Sequence, residues 1–237
     1  VNIVELRPAD LSNALTYLSP ELATLMREHP GELVVAGGLL RAVVAKEEVR
    51  DVDVFAASKE LALGAAERLD QGRGRLLRGK SAVTVVASST YKYPVQLVHR
   101  WSFASPAELV ESFDFSVCQA VLWYDGLGTA RGIAGSRFYE DVHYKRLAYS
   151  SPVRDEEAGA SFLRVLKYYQ KGYKISFGSL GKVAARLFAA TGPTSEDAEA
   201  RRQREAALAV VLTRLLLEAD RSSDGTDYMA DGSRENF

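Results

Sequence analysis

A single cysteine, Cys118, is all the chain carries, which excludes an intramolecular disulfide framework and a Cys-rich zinc cluster. Three histidines, scattered along 237 residues, are too few for a His-built metal site. Neither sign of charge dominates: 30 Lys and Arg stand against 31 Asp and Glu, so the basic excess of a general duplex binder is missing, while a local basic patch stays open. No uninterrupted apolar run approaches the roughly 20 residues of a membrane helix. The opening segment VNIVELRPADL also lacks the basic-then-apolar layout of a signal peptide, so the expectation is a soluble, cytoplasmic chain. No G-x-S-x-G pattern occurs, which disfavours an α/β hydrolase. What remains is an ordinary globular composition, 47% hydrophobic and 26% charged, with enough apolar material for a core.

Hydrophobic spacing predicts a helix over Pro8 to Glu28, interrupted near Pro20. The apolar run Leu33 to Ala36 stops at Gly37-Gly38 and reads as a strand ending in a tight turn. A helix is expected over Leu39 to Lys46, a period-two strand over Val49 to Ala56, and a helix over Lys59 to Leu69. β-Branched runs at Ser81 to Ala87 and Tyr93 to Val98 suggest two further strands. Ser105-Pro106 opens a helix, and Asp125-Gly126 marks the turn of a hairpin. Beyond Gly135 the texture turns helical: Arg137 to Arg146, Glu156 to Lys171, Gly181 to Thr191 and Glu196 to Leu217. The expected fold class is α/β (α+β), a small mixed sheet with flanking helices, divided as 1–135 α/β head, 136–219 helical region and 220–237 flexible tail.

One motif fits by letters alone. Gly74 to Ser81 reads GRLLRGKS and matches the phosphate-loop pattern G-x-x-x-x-G-K-[ST]. Such a loop needs a strand before it and a helix after it, so that backbone N–H groups and the helix dipole face the phosphates. Here a helical segment precedes and a β-branched strand comes after, so a basic loop is the simpler reading.

The segment that carries chemistry is VVAGGLLR, Val34 to Arg41, succeeded by DVDVF, Asp51 to Phe55. Alternate strand residues share a face, so Asp51 and Asp53 project together. Two carboxylates side by side repel, and a divalent cation relieves them; hard oxygen ligands suit Mg²⁺, whose shell a substrate's phosphates complete. The glycine pair lets a phosphate chain approach the backbone, and the helix after it offers its N-terminus to the anion. Together they describe a metal-nucleotide site.

A strand, Gly-Gly, a helix bearing Arg41, then a strand with an i, i+2 carboxylate pair resembles the nucleotidyltransferase superfamily to which DNA polymerase β belongs. SFDFSVCQAVL, Ser112 to Leu122, is similar to the R-R-D-F-T-I-N-A segment of tRNA CCA-adding enzymes and bacterial poly(A) polymerases, and FLRVLKY, Phe162 to Tyr168, to their R-V-L-R-A-x-R-Y helix. The resemblance spans roughly residues 33 to 175. It implies a template-independent transferase that uses Mg²⁺ (or Mn²⁺) and a nucleoside triphosphate, such as ATP, releases pyrophosphate and adds a nucleotide to an acceptor hydroxyl, foremost an RNA 3′ end. It further implies Asp51 and Asp53 as catalytic metal ligands, Gly37 and Gly38 as the phosphate turn, and Arg41 as a phosphate or structural contact. Asp114 would act near the ribose or orient a nucleotide-reading side chain, and Arg164 and Lys167 would contact the nucleotide or its phosphates, or line a solvated helix face.

Three departures stand out. Gln96 is neutral where many members carry a third carboxylate; Ser112-Phe113 replaces Arg-Arg; and after its helical region the chain is too short for the tRNA-gripping body of CCA-adding enzymes. A catalytically silent nucleotide-binding module of the same fold, and transfer to a protein or small-molecule hydroxyl, therefore remain as alternatives.

Overall fold

A computed structural model describes residues 2–73, 75–87, 92–100, 102–150, 159–190 and 197–222. The chain divides into two compact units: Val1–Phe113 with Val117–His143, and Asp114–Ser116 with Tyr144–Phe237.

The first unit opens with β1 (Ile3–Glu5), α1 (Pro8–Leu15) and α2 (Pro20–Glu28). The long N-terminal helix is thus two: Ser19 caps α2 by accepting a hydrogen bond from the Leu22 N–H at 3.1 Å, with Pro20 at the first helical position. Then come β2 (Leu33–Ala36), α3 (Gly38–Ala45), β3 (Val52–Ala56), α4 (Lys59–Asp70), β4 (Leu76–Arg78), β5 (Ala82–Val85), β6 (Val95–Val98), α5 (Pro106–Glu111), β7 (Ala120–Tyr124), β8 (Ala130–Gly135) and α6 (Phe138–His143).

Eight strands form one sheet in the order β1-β8-β7-β2-β3-β6-β5-β4, and β3 and β6 are its parallel pair. The two faces of β3, β6 and β5 differ. Val52, Val54, Val83, Val85, Val95 and Leu97, all at most 3% exposed, form one face, and α4 packs on these strands with Ala62, Ala65, Ala66 and Leu69 buried. On the other face, Val34, Ala36, Phe55 and Val121 join Phe103 and the α5 residues Leu109 and Val110 in a core cluster. Val98 packs partly buried against this cluster, Asp53, Gln96 and Thr84 are half-buried, and Asp51 is exposed. This face is thus less deeply covered than the opposite one where β3, β6 and β5 meet.

In the second unit are β9 (Arg146–Leu147), α7 (Ala160–Tyr169), β10 (Lys174–Ile175), α8 (Phe177–Ala190) and α9 (Ala198–Ser222), with β9 and β10 paired in parallel. Several expectations need correction. The helix expected over Arg137 to Arg146 ends at His143, and Arg146 is strand; α6 packs on α3, so 136–143 belongs with the first unit. Strands β1, β4, β9 and β10, of two or three residues each, carry too short a pattern to be read from sequence. α9 continues through Asp220 to Ser222, and the rest of the expected tail, 223–237, lies outside the described residues. No helix among the described residues is long and apolar enough to cross a membrane.

Candidate functional site

β2 is buried along its whole length and lies between β7 and β3. It ends because Gly37 adopts φ +74°, ψ −120°, a conformation that side chains with a Cβ avoid, which turns the chain into α3. A Cβ at Gly37 would stand 4.0 Å from the Phe113 ring; one at Gly38, the first residue of α3, would meet nothing within 4 Å. The bend therefore leaves open space beside the first turn of α3, where backbone N–H groups have no helical acceptor.

β3 pairs antiparallel with β2, Val34 against Phe55 and Val35 against Val54. Carried past Val35, this register brings the Gly37 bend to the end of β3 that holds Asp53 and, one residue before the strand, Asp51. Val52 is 1% exposed, so the pleat turns the half-buried Asp53 to the opposite face, while Asp51, just before the strand, is exposed. β6 places Gln96 directly beside Asp53, and β5 places Thr84 directly beside Gln96. Two carboxylates two residues apart, near the glycine bend, are hard oxygen donors of the kind that suits a cation such as Mg²⁺. Among the described residues no group of three or more His, Cys, Asp and Glu side chains assembles, so water and substrate oxygens would complete the shell.

Arg41 stands one turn into α3, its N–H donating to the Gly37 carbonyl at 3.4 Å. It is 3% exposed, and its guanidinium holds the Glu47 carboxylate. Lys46 closes α3 in the left-handed conformation, φ +55°, and the Glu47 N–H donates back to the Ala42 carbonyl at 2.8 Å, which folds Glu47 against the helix. Arg41 thus makes a buried ion pair with Glu47.

Asp114, Arg164 and Lys167 belong to the second unit. Asp114 is 1% exposed; its carboxylate accepts from the Ser161 hydroxyl at 2.8 Å and from the Arg164 guanidinium. The Ser150 N–H donates to its carbonyl at 2.8 Å, and next to it Phe115 bridges Tyr149 and packs on the Tyr149 and Tyr168 rings. The Arg186 guanidinium donates to the Tyr149 hydroxyl at 3.3 Å; burial pushes the Tyr149 phenol up, against the opposing pull of Arg186. Lys167, one turn after Arg164, is exposed. Sequence reasoning misses Ser161, although its i, i+3 spacing to Arg164 puts both on one helix face; nothing local marks Tyr149 and Arg186.

The phosphate-loop pattern resolves into a hairpin. Leu76 to Arg78 is β4, the Gly79 N–H donates to the Ala82 carbonyl at 2.8 Å, and β5 runs back antiparallel, so the turn leads into a strand and not a helix; Gly74 lies outside the described residues.

Among solved structures, the chain is similar to a Thermotoga maritima CCA-adding enzyme complexed with tRNA (12% identity, 89% of this chain and 55% of that one, TM-score 0.50). It is also similar to a CCA-adding enzyme with CTP (12% identity, 92% and 54%, TM-score 0.54) and one with ATP (13% identity, 92% and 55%, TM-score 0.51). The chain spans little more than half the length of these proteins, and at such identities the likeness shows the nucleotidyltransferase-like α/β fold. No curated protein matches the chain. The family model of the Gabija anti-defense 2 proteins, Gad2, matches residues 12–143, which is more than half of the chain and includes every strand of the large sheet but β1, the glycine bend and both carboxylates. The chain thus belongs to the Gad2 family.

Proposed function

We propose that the chain is a divalent-metal-dependent nucleotidyltransferase that moves a nucleotidyl group from a nucleoside triphosphate to an acceptor hydroxyl, foremost an RNA 3′ end, and that this transfer serves the anti-defense role its family name carries. The feature that supports it most is the i, i+2 pair of Asp51 and Asp53 at the start of β3, the end of that strand to which the β2–β3 register, carried on, brings the Gly37 bend. A bound Mg²⁺ or Mn²⁺ would neutralise triphosphate charge and acidify the acceptor hydroxyl.

Asp51 and Asp53 would hold the cation, while the bend at Gly37-Gly38 and the N–H groups of the first turn of α3 orient the triphosphate. The acceptor oxygen bonds to the α-phosphorus as the bond to the bridging oxygen breaks, pyrophosphate leaves, and the acceptor proton passes to water. Arg164 and Lys167 are proposed to contact nucleotide or acceptor phosphates, with Asp114 as the residue that positions Arg164.

The test is incubation of the chain with each α-labelled triphosphate and total RNA, beside the Asp51→Asn/Asp53→Asn double variant. Labelled product from the native chain alone supports transfer; product common to both ends the proposal. A second reading has its own observation, the neutral Gln96 beside Asp53. It is a binding module without turnover, and triphosphate binding with no labelled product for any acceptor, in Mg²⁺ or Mn²⁺, would favour it.

A further inference from the structure

The second unit gathers charge of one sign. Between Val142 and Ser195 the sequence has nine Lys and Arg against three acidic residues, and those three, at 155–157, lie outside the described residues. The fold brings two runs of this stretch together, YKR at Tyr144 to Arg146 and YYQKGYK at Tyr168 to Lys174. β9 and β10 pair with Arg146 level with Lys174 and Leu147 level with Ile175. Leu147 and Ile175 are buried, so the pleat turns the half-buried Arg146 and Lys174 to the opposite side. Lys145 precedes them in the left-handed conformation, φ +51°; its Nζ donates to the Lys171 carbonyl at 3.0 Å, and its own carbonyl accepts from the Lys174 N–H at 2.8 Å. Lys145, Arg146, Lys171 and Lys174 therefore share one small region, and like charges level with each other on paired strands repel.

Two large rings stand out from the same elements. Tyr144, just before β9, is 63% exposed, and Tyr169, the last residue of α7, is 53% exposed. Their neighbours Tyr168 and Tyr173 are buried and meet edge to face, so the segment has a core for rings to join and these two stay outside it. The Arg146 guanidinium lies 5.2 Å from the centre of the Tyr144 ring. Exposed rings set among cations offer what an unpaired nucleotide needs, a π-face for its base and positive charge for its phosphate.

We propose that this surface of the second unit binds single-stranded nucleic acid, with Lys145, Arg146, Lys171 and Lys174 on the phosphates and Tyr144 and Tyr169 against unpaired bases. A duplex fits it less well, because its bases are already stacked on one another. The binding needs neither a cation nor a triphosphate, so the inference stands apart from the transfer reading.

The experiment titrates the full chain, in chelator and without triphosphate, into fluorescein-labelled oligo(U) and oligo(dT) of about twelve nucleotides, read by fluorescence anisotropy. Binding is expected with log Kobs falling against log salt at a slope of roughly −3, about 0.7 for each of the four cations. Arg146→Gln/Lys174→Gln should reduce that slope by about 1.4, whereas Tyr144→Ala and Tyr169→Ala should each weaken binding at least about fivefold with the slope kept. An abasic strand of the same length should bind more weakly and ignore both tyrosine substitutions. Lys80→Gln, in the exposed β4–β5 turn of the other unit, should bind like the native chain. Binding of either strand with these sensitivities supports the surface, and the tighter of the two names the source, RNA through its 2′-hydroxyls or DNA. The inference is overturned if neither strand binds, or if a Tyr144→Ala/Tyr169→Ala protein with the native Tm binds like the native chain. It is equally overturned if duplex or poly-glutamate competes as well as the single strand, or if Lys80→Gln loses as much affinity as the Arg146/Lys174 variant.

Discussion

Alanine at Gly37 and at Gly38 separates the structural use of the glycine bend from its chemical use. Gly37 sits at φ +74°, ψ −120°, so an added Cβ is strained wherever it points, at a cost of roughly 1–3 kcal/mol. In a chain of this size each kcal/mol lowers Tm by about 2–4 °C, and Gly37→Ala should therefore melt several degrees early. Gly38 is the first residue of a helix, outside the left-handed region, and its Cβ would meet nothing within 4 Å. Gly38→Ala should leave Tm unchanged or raise it, with a gain of up to about 1 kcal/mol from reduced chain entropy. Its effect falls on the ligand: the methyl group occupies the space in which a phosphate would meet the α3 amides, and a loss of about 1.4 kcal/mol there is tenfold in affinity. The assay pairs a thermal melt with calorimetric titration of a methylene-bridged ATP analogue in Mg²⁺. A Gly38→Ala protein that melts normally and binds the analogue like the native chain would refute a phosphate at this bend.

Lys80→Ala should bind the same analogue as the native chain does, because the phosphate-loop pattern forms a hairpin; loss of binding would return the site to that loop. Asp114→Ala leaves the Arg164 guanidinium without its buried carboxylate, and with Arg164 34% exposed the cost should be about 2–3 kcal/mol, below the full value of a broken buried pair; a melt within about 1 °C of the native one would contradict this. Burial raises the Tyr139 phenol to about 12, partly opposed by the Arg7 N–H that donates to it. A raised value in the folded chain means stability that is fully present below pH 10, the ordinary phenol value, and lost as pH rises through about 12. Tyr139→Phe should flatten the fall in Tm over that window, and an unchanged alkaline slope would show that another group sets it.

Local signals are legible wherever a few neighbouring residues settle the backbone. Leu33 to Ala36 reads as a strand with the bounds it has, because Gly37 stops it in a conformation that glycine adopts easily. Pro20 divides the N-terminal helix because a proline opens a helix and cannot continue one. Asp125 makes its hairpin turn, its carboxylate accepting from the Leu127 and Thr129 N–H groups. The i, i+2 spacing of Asp51 and Asp53 implies a common face, since a pleat alternates whatever the surroundings.

Other features depend on partners distant in the chain. That Gln96 stands level with Asp53 comes from a parallel register between strands some forty residues apart, which no local pattern encodes. The ion pair of Arg41 forms because a left-handed helix end folds Glu47 back to it, which the order of residues does not reveal. Gly-Lys-Ser fits a phosphate loop in letters, yet pairing between β4 and β5 makes it a turn. The carboxylate of Asp114 meets Ser161 and Arg164 only because residues about fifty positions on fold against it. Chain stiffness and hydrogen bonding act over a few residues and leave a trace in order and spacing; burial and charge pairing act through space, and their outcome exists once the chain has closed on itself.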